Sequence, residues 1–114
     1  MERSPIEDRL RRVGVTLEEF EVLQRVEADK IARSRGASIS EDGFSLSLTH
    51  NGNVMMEAEV DIFGFKIRVV SEIGIDRKGK LVQKKLKVKP GIPGAKRVAG
   101  GIIKKGLQEI EENW

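Results

Sequence analysis

Between residues 53 and 89 the chain alternates apolar and polar residues in three successive stretches, and no other feature restricts its fold as tightly. Val54, Met56, Ala58, Val60 and Ile62 alternate with Met55, Glu57, Glu59 and Asp61. A period of two sustained this long predicts a strand with one buried face. Beyond Phe63-Gly64 the pattern resumes, with Phe65, Ile67, Val69 and Ile73 apolar and Lys66, Arg68 and Glu72 opposite. Folding back at Phe63-Gly64 sets Asp61 against Lys66 and Glu59 against Arg68, pairs of opposite charge that favour this register. A second reversal at Asp76-Arg77-Lys78-Gly79 is expected to set Ile73 opposite Val82, Val69 opposite Leu86 and Ile67 opposite Val88. Both reversals gather the apolar residues on one face.

The flanking segments supply the cover for that face. Ser4-Pro5-Ile6-Glu7 reads as a capping box with proline at the first helical position, opening a short helix that Gly14 stops. Thr16-Leu17-Glu18-Glu19 repeats the device and opens a longer helix to about Arg35, with Gly36 as its left-handed terminator. Its expected buried stripe is Phe20, Leu23, Val26 and Ile31. Residues 39 to 48 read as a strand with a turn or bulge at Glu41-Asp42-Gly43, followed by a hairpin turn at His50-Asn51-Gly52-Asn53. The last strand, 80 to 89, is expected to bury Val82, Leu86 and Val88; Pro90 to Gly94 ends it. A helix from about Ala95 should pack Val98, Ile102 or Ile103, Leu107, Ile110 and Trp114 against the sheet. The expected fold class is α+β. Two N-terminal helices (4–35) precede a four-stranded antiparallel meander (37–89), and a C-terminal helix (95–113) lies on its apolar face. All of it forms one domain, 1–114, as suits 114 residues.

Composition narrows the function classes. With no cysteine, neither a disulfide framework nor a thiolate metal site can form. Four Phe, one Trp and no Tyr are few rings for a single-stranded nucleic-acid platform. No apolar run reaches the ~18 residues of a membrane span, and no signal peptide opens the chain. His50, the one histidine, stands in a turn, and Glu57, Glu59 and Asp61 face Lys66 and Arg68 as ordinary ion-pair partners. No nucleophile elbow, phosphate loop or metal-ligand spacing occurs. The chain is expected to be no enzyme and to need no metal or cofactor.

Charge is what remains. Residues 1 to 75 hold 10 basic and 14 acidic side chains, a balance of −4; residues 76 to 114 hold 11 and 4, a balance of +7. Between 76 and 105, Asp76 is the only acid. Such a block points to an anionic partner, or else to a lysine-guarded sheet edge. The candidate lipid- or anion-binding residues are Lys84, Lys85, Lys87, Lys89, Lys96, Arg97, Lys104 and Lys105. Phe63 joins them, because an apolar ring at a hairpin tip, where φ is positive, is unusual. Gly100, Gly101 and Gly106 inside the last helix permit close approach to the sheet or leave the helix mobile.

Val60-Asp61-Ile62-Phe63-Gly64-Phe65-Lys66-Ile67-Arg68-Val69-Val70, the turn at Asp76 to Gly79 and the Pro90-Gly91-Ile92-Pro93-Gly94 break before a helix resemble bacterial envelope proteins of the BPI-like tubular lipid-binding superfamily. The resemblance spans 53–107 and implies long antiparallel strands around a helix, an acyl-chain groove and a place at the membrane surface or cell envelope. Without it, a cytoplasmic location is expected. Gly91-Ile92-Pro93-Gly94 also resembles the Gly-x-x-Gly clamp of KH domains, though a strand precedes it here. The leading expectation is a binding domain that engages lipid or an anionic membrane surface through a sheet-helix groove and the basic block. Nucleic acid is the alternative partner for the same lysines, and protein interaction or oligomerisation the third.

Overall fold

The computed structural model describes residues 4–114, so residues 1–3 of the expected domain lie outside it. These residues form α1 (Pro5–Arg12), α2 (Leu17–Ser34), β1 (Ser38–Ile39), β2 (Ser45–Leu48), β3 (Val54–Ile62), β4 (Phe65–Ile75), β5 (Leu81–Lys89) and α3 (Ala95–Glu112). The fold is α+β with an antiparallel sheet, as expected. Both N-terminal helices start where their caps place them. The Ser4 hydroxyl accepts the Glu7 N–H at 3.2 Å and donates to the Gly52 carbonyl at 2.7 Å, tying α1 to the β2–β3 turn. At α2 the capping box is complete: Thr16 Oγ1 accepts the Glu19 N–H, and the Glu19 carboxylate accepts the Thr16 N–H, each at 3.1 Å.

The sheet runs β1-β3-β4-β5, with β2 also on β3, so the expected four strands are five. The first strand is split. Ile39 faces Val60 and Leu46 faces Met56 across β3, leaving residues 40–44 to arch outward. Gly43 rests on Glu59 there; a Cβ at Gly43 would come within 2.8 Å of Glu59 Cβ. Because the arch inserts an odd number of residues, odd-numbered Ile39 and even-numbered Leu46 reach the same face.

The β3–β4 register matches the alternation, with Asp61 opposite Lys66 and Glu59 opposite Arg68. The ion pairs form diagonally instead, Arg68 to Glu57 at 3.0 Å and Lys66 to Glu59 at 4.0 Å. The β4–β5 register corrects the expectation. Val69 faces Val88, Ser71 faces Leu86, Ile73 faces Gln83 and Gly74 faces Val82, with an irregularity at Glu72/Ile73. Two causes combine. The turn is one residue wider than expected, closing between Asp76 N–H and Lys80 O at 2.9 Å, with Gly79 at φ 78°. Leu81 and Leu86 are five residues apart and would oppose each other in a regular strand; one extra residue at Lys84 puts both on the helix side. Leu81 is therefore buried and Val82 only partly so. Ser71, fully buried, donates its hydroxyl to the Lys85 carbonyl at 2.9 Å beside this bulge.

All three helices lie on one face, against Val54, Met56, Ala58, Val60, Ile62, Ile67, Val69 and Ile73. α3 covers the sheet and buries Ala95, Ala99, Ile102, Ile103, Leu107 and Ile110, while Val98 and Trp114 are half-covered. Trp114 closes the far end against Phe20, ring centroids 6.2 Å apart, with the Arg9 guanidinium 5.0 Å over its ring. The expected stripe of α2 is corrected as well. Phe20, Gln24, Ala28 and Ala32 are buried, while Leu23 and Val26 face solvent with Val22. The reason is close packing on α3, where Gly106 lies against Ala28 and a branched residue would hold the helices apart.

Candidate functional site

β5 is an edge strand, and α3 runs back alongside it after the Pro90–Gly94 connection, so the two enclose a surface groove. Gly94, at φ 83°, makes the reversal into the helix. Toward the start of α3 the groove has a volume of about 920 Å³ and is lined by Lys84, Lys85, Lys96, Arg97 and Lys104, with Leu86 and glycines 94, 100 and 101 between them. No acid lines it. Gln83 and Lys104 connect it to a second stretch of about 560 Å³, where Asp76, Glu111 and Glu112 join Lys80. The seam thus runs from wholly basic to mixed charge.

The basic end gains a cation from elsewhere. Arg35, just past α2, lies over Gly101, where a Cβ would come within 2.7 Å of its Nη1. Among the described residues none of Arg35, Lys84, Lys85, Lys96, Arg97 and Lys104 is ion-paired; Lys105 is held by Glu109 at 3.4 Å. The first turn of α3 carries no acid and no side-chain cap. Like charges crowded without counterions repel one another and gain by contact with an anion.

The β3–β4 hairpin tip stands at the same end. Phe63 adopts φ 56° and Gly64 φ 80°, and a Cβ on Gly94 would lie 3.8 Å from the Phe63 ring, which places the tip against the start of α3. Phe63 is 60 % exposed and Phe65 54 %. Phe65 shares the side of Ile67 by parity and faces the buried Ile62, but β5 stops at Lys89 opposite Arg68 and leaves Phe65 without a neighbouring strand on its other flank.

The candidate residues therefore divide. Lys84, Lys85, Lys96, Arg97 and Lys104 share the groove and Phe63 stands at its mouth. Lys87 and Lys89 alternate with the core-facing Val88 and lie on the outer sheet face, Lys89 beside Lys66, Arg68, Glu57 and Glu59. Arg35 and Phe65 escaped the sequence reading: Arg35 looked like an ordinary helix terminus and Phe65 like a core residue. Between sheet and helices, a gap bounded by Val60, Val69, Ala99, Ile102 and Ile103 is about 10 Å³, less than an acyl chain needs. No cluster of three or more His, Asp or Glu placed to hold a metal occurs among the described residues, and no helix there is long and apolar enough to cross a membrane. Compared with protein-family models, curated proteins and solved structures, the chain matches none.

Proposed function

We propose that the chain is a non-enzymatic binding domain that docks on an anionic lipid surface with the end formed by the hairpin tip and the basic groove. The observation that supports it most directly is the pairing of two exposed rings, Phe63 and Phe65, with the acid-free groove beside them. Rings at a protruding tip can enter the headgroup layer while the flanking cations stay in water on the phosphates. Each Lys or Arg near an anionic surface contributes about 1 kcal/mol, so the groove cations together with two rings suffice for reversible attachment. Lipid in this arrangement is met from outside; the core between sheet and α3 stays closed.

Co-sedimentation with phosphatidylcholine vesicles, with and without about 30 % phosphatidylglycerol, tests the proposal. Binding should need the anionic lipid, weaken as salt rises from about 50 to 500 mM, and fall with Lys96→Glu/Arg97→Glu. Phe63→Ser/Phe65→Ser should reduce binding even at low salt. Equal affinity for neutral vesicles, or indifference to both double variants, would sink it. Binding to an oligonucleotide with a steep salt slope and no vesicle binding would transfer the groove to nucleic-acid phosphates.

A further inference from the structure

The corrected orientation of α2 leaves an apolar stripe in solvent, and the charges around it identify its occupant. Val22, Leu23 and Val26 are 50, 37 and 40 % exposed, and they lie at helical spacing on one face. Glu19 precedes them on that face and Lys30 and Arg33 follow, all three exposed, with Glu19 capping Thr16, Lys30 on Glu27 at 3.4 Å and Arg33 on Asp29 at 2.8 Å within the same helix. The stripe therefore reads acid, apolar, base along the helix. A second α2 laid antiparallel, with the two-fold axis between residues 24 and 25, sets Leu23 on the partner copy's Val26 and Glu19 on its Lys30. The same pairs recur on the other side of the axis, so every contact is made twice, as an isologous interface requires. A parallel pairing would set Glu19 on Glu19 and Lys30 on Lys30. We infer that α2 is a self-association surface and that two copies of this chain pair through it, antiparallel, in a two-fold dimer. The patch is small, which places the dimer among weak, transient complexes with Kd between about 10 μM and 1 mM.

Sedimentation equilibrium of the whole chain up to about 1 mM should show the weight-average mass rising from monomer toward dimer. Leu23→Asp and Val26→Asp, which replace exposed side chains and leave the core filled, should each weaken association at least ~10-fold while circular dichroism stays unchanged. Lys30→Glu and Glu19→Lys, the latter checked for full helicity by circular dichroism because it also removes the Thr16 cap, should each associate poorly alone, and an equimolar mixture should recover the dimer, since the swap restores opposite charges across the axis. Two results would overturn the inference: a wild-type chain that remains monomeric to ~1 mM, or a folded Leu23→Asp chain that dimerises like the wild type. Failure of the mixture to recover association would overturn the charge-matched antiparallel arrangement.

Discussion

The carboxylate of Asp29, on α2, accepts the backbone N–H of Ile39, on β1, at 3.1 Å. Eight residues earlier on the helix, Glu21 accepts the Leu46 N–H of β2 at the same distance. Together they occupy outward N–H groups along the split edge strand, so α2 shields one sheet edge with carboxylates while lysines guard the other. Burial pushes the Asp29 carboxyl up, but hydrogen bonds from Arg33 and the Ile39 N–H, with the charges of Arg33 and Arg25, outweigh it and hold the group below its ordinary value. A carboxyl lowered in the folded state stabilises fully above its unfolded pKa, and the contribution is lost as pH falls through the folded one. Thermal melts should therefore show an acid loss beginning below about pH 4. It should be smaller in Asp29→Asn. At neutral pH, Asp29→Ala should cost about 1–3 kcal/mol by leaving the Ile39 N–H without its acceptor.

Phe63 holds a left-handed conformation that costs a side-chain-bearing residue about 1–2 kcal/mol. Asparagine tolerates that region and is the preferred partner of glycine in such a turn. Phe63→Asn should raise the melting temperature by several degrees and weaken vesicle binding. A variant that gains stability and binds vesicles as before would show that the ring has no part in docking.

Glycines in α3 should respond unequally to alanine. At Gly106 the new methyl would meet Ala28 at ordinary contact distance, 3.6 Å, and at Gly101 only the movable end of Arg35. Both substitutions should stabilise, by up to about 1 kcal/mol from helix propensity. At Gly100 the methyl would lie 3.1 Å from Leu86 Cδ2, which must shift, so the gain should be smaller or reversed. Urea denaturation of the three variants gives the order directly.

Removing one of the adjacent lysines at 84 and 85 should be tolerated, within about 1–2 kcal/mol. The deletion eliminates the extra residue of the bulge and lets a regular strand carry Leu81, Leu86 and Val88 on the helix side. Deleting Val70 from β4, which has no bulge to remove, should invert half of that strand and unfold the chain. Circular dichroism separates the two outcomes.

The contrast between β3 and β5 shows where sequence was informative. The alternation of β3, strict from Met56 to Ile62, admits one register, and both the Phe63-Gly64 reversal and the three-residue turn ending at Gly52 follow from it. In β5 the run Leu81-Val82 leaves two parities open, and only packing against α3 selects Leu81. In α2 Phe20 is buried as expected, but beyond it burial falls on Gln24, Ala28 and Ala32, because the facing helix approaches too closely for Leu23 or Val26. The groove was legible as a charge imbalance. Its acid-free shape, Arg35 and Phe65 were not, since they depend on which chain ends meet in space.

α3 packs against both β5 and α2, and it is the last of the described elements to leave the ribosome. Its 18 residues take about 1–4 s to synthesise at 5–20 residues per second. Until then β3 and β4 are already made, but Val60, Val69 and their neighbours have only the two N-terminal helices to cover them, without Ala99, Ile102 and Ile103. During those seconds the part of the apolar face that α3 will cover stands open, and an open apolar sheet face is prone to stick to another. The lysines of β5, made just before the delay, give every such chain the same sign of charge along its free edge, so neighbouring chains on one message repel until the helix arrives.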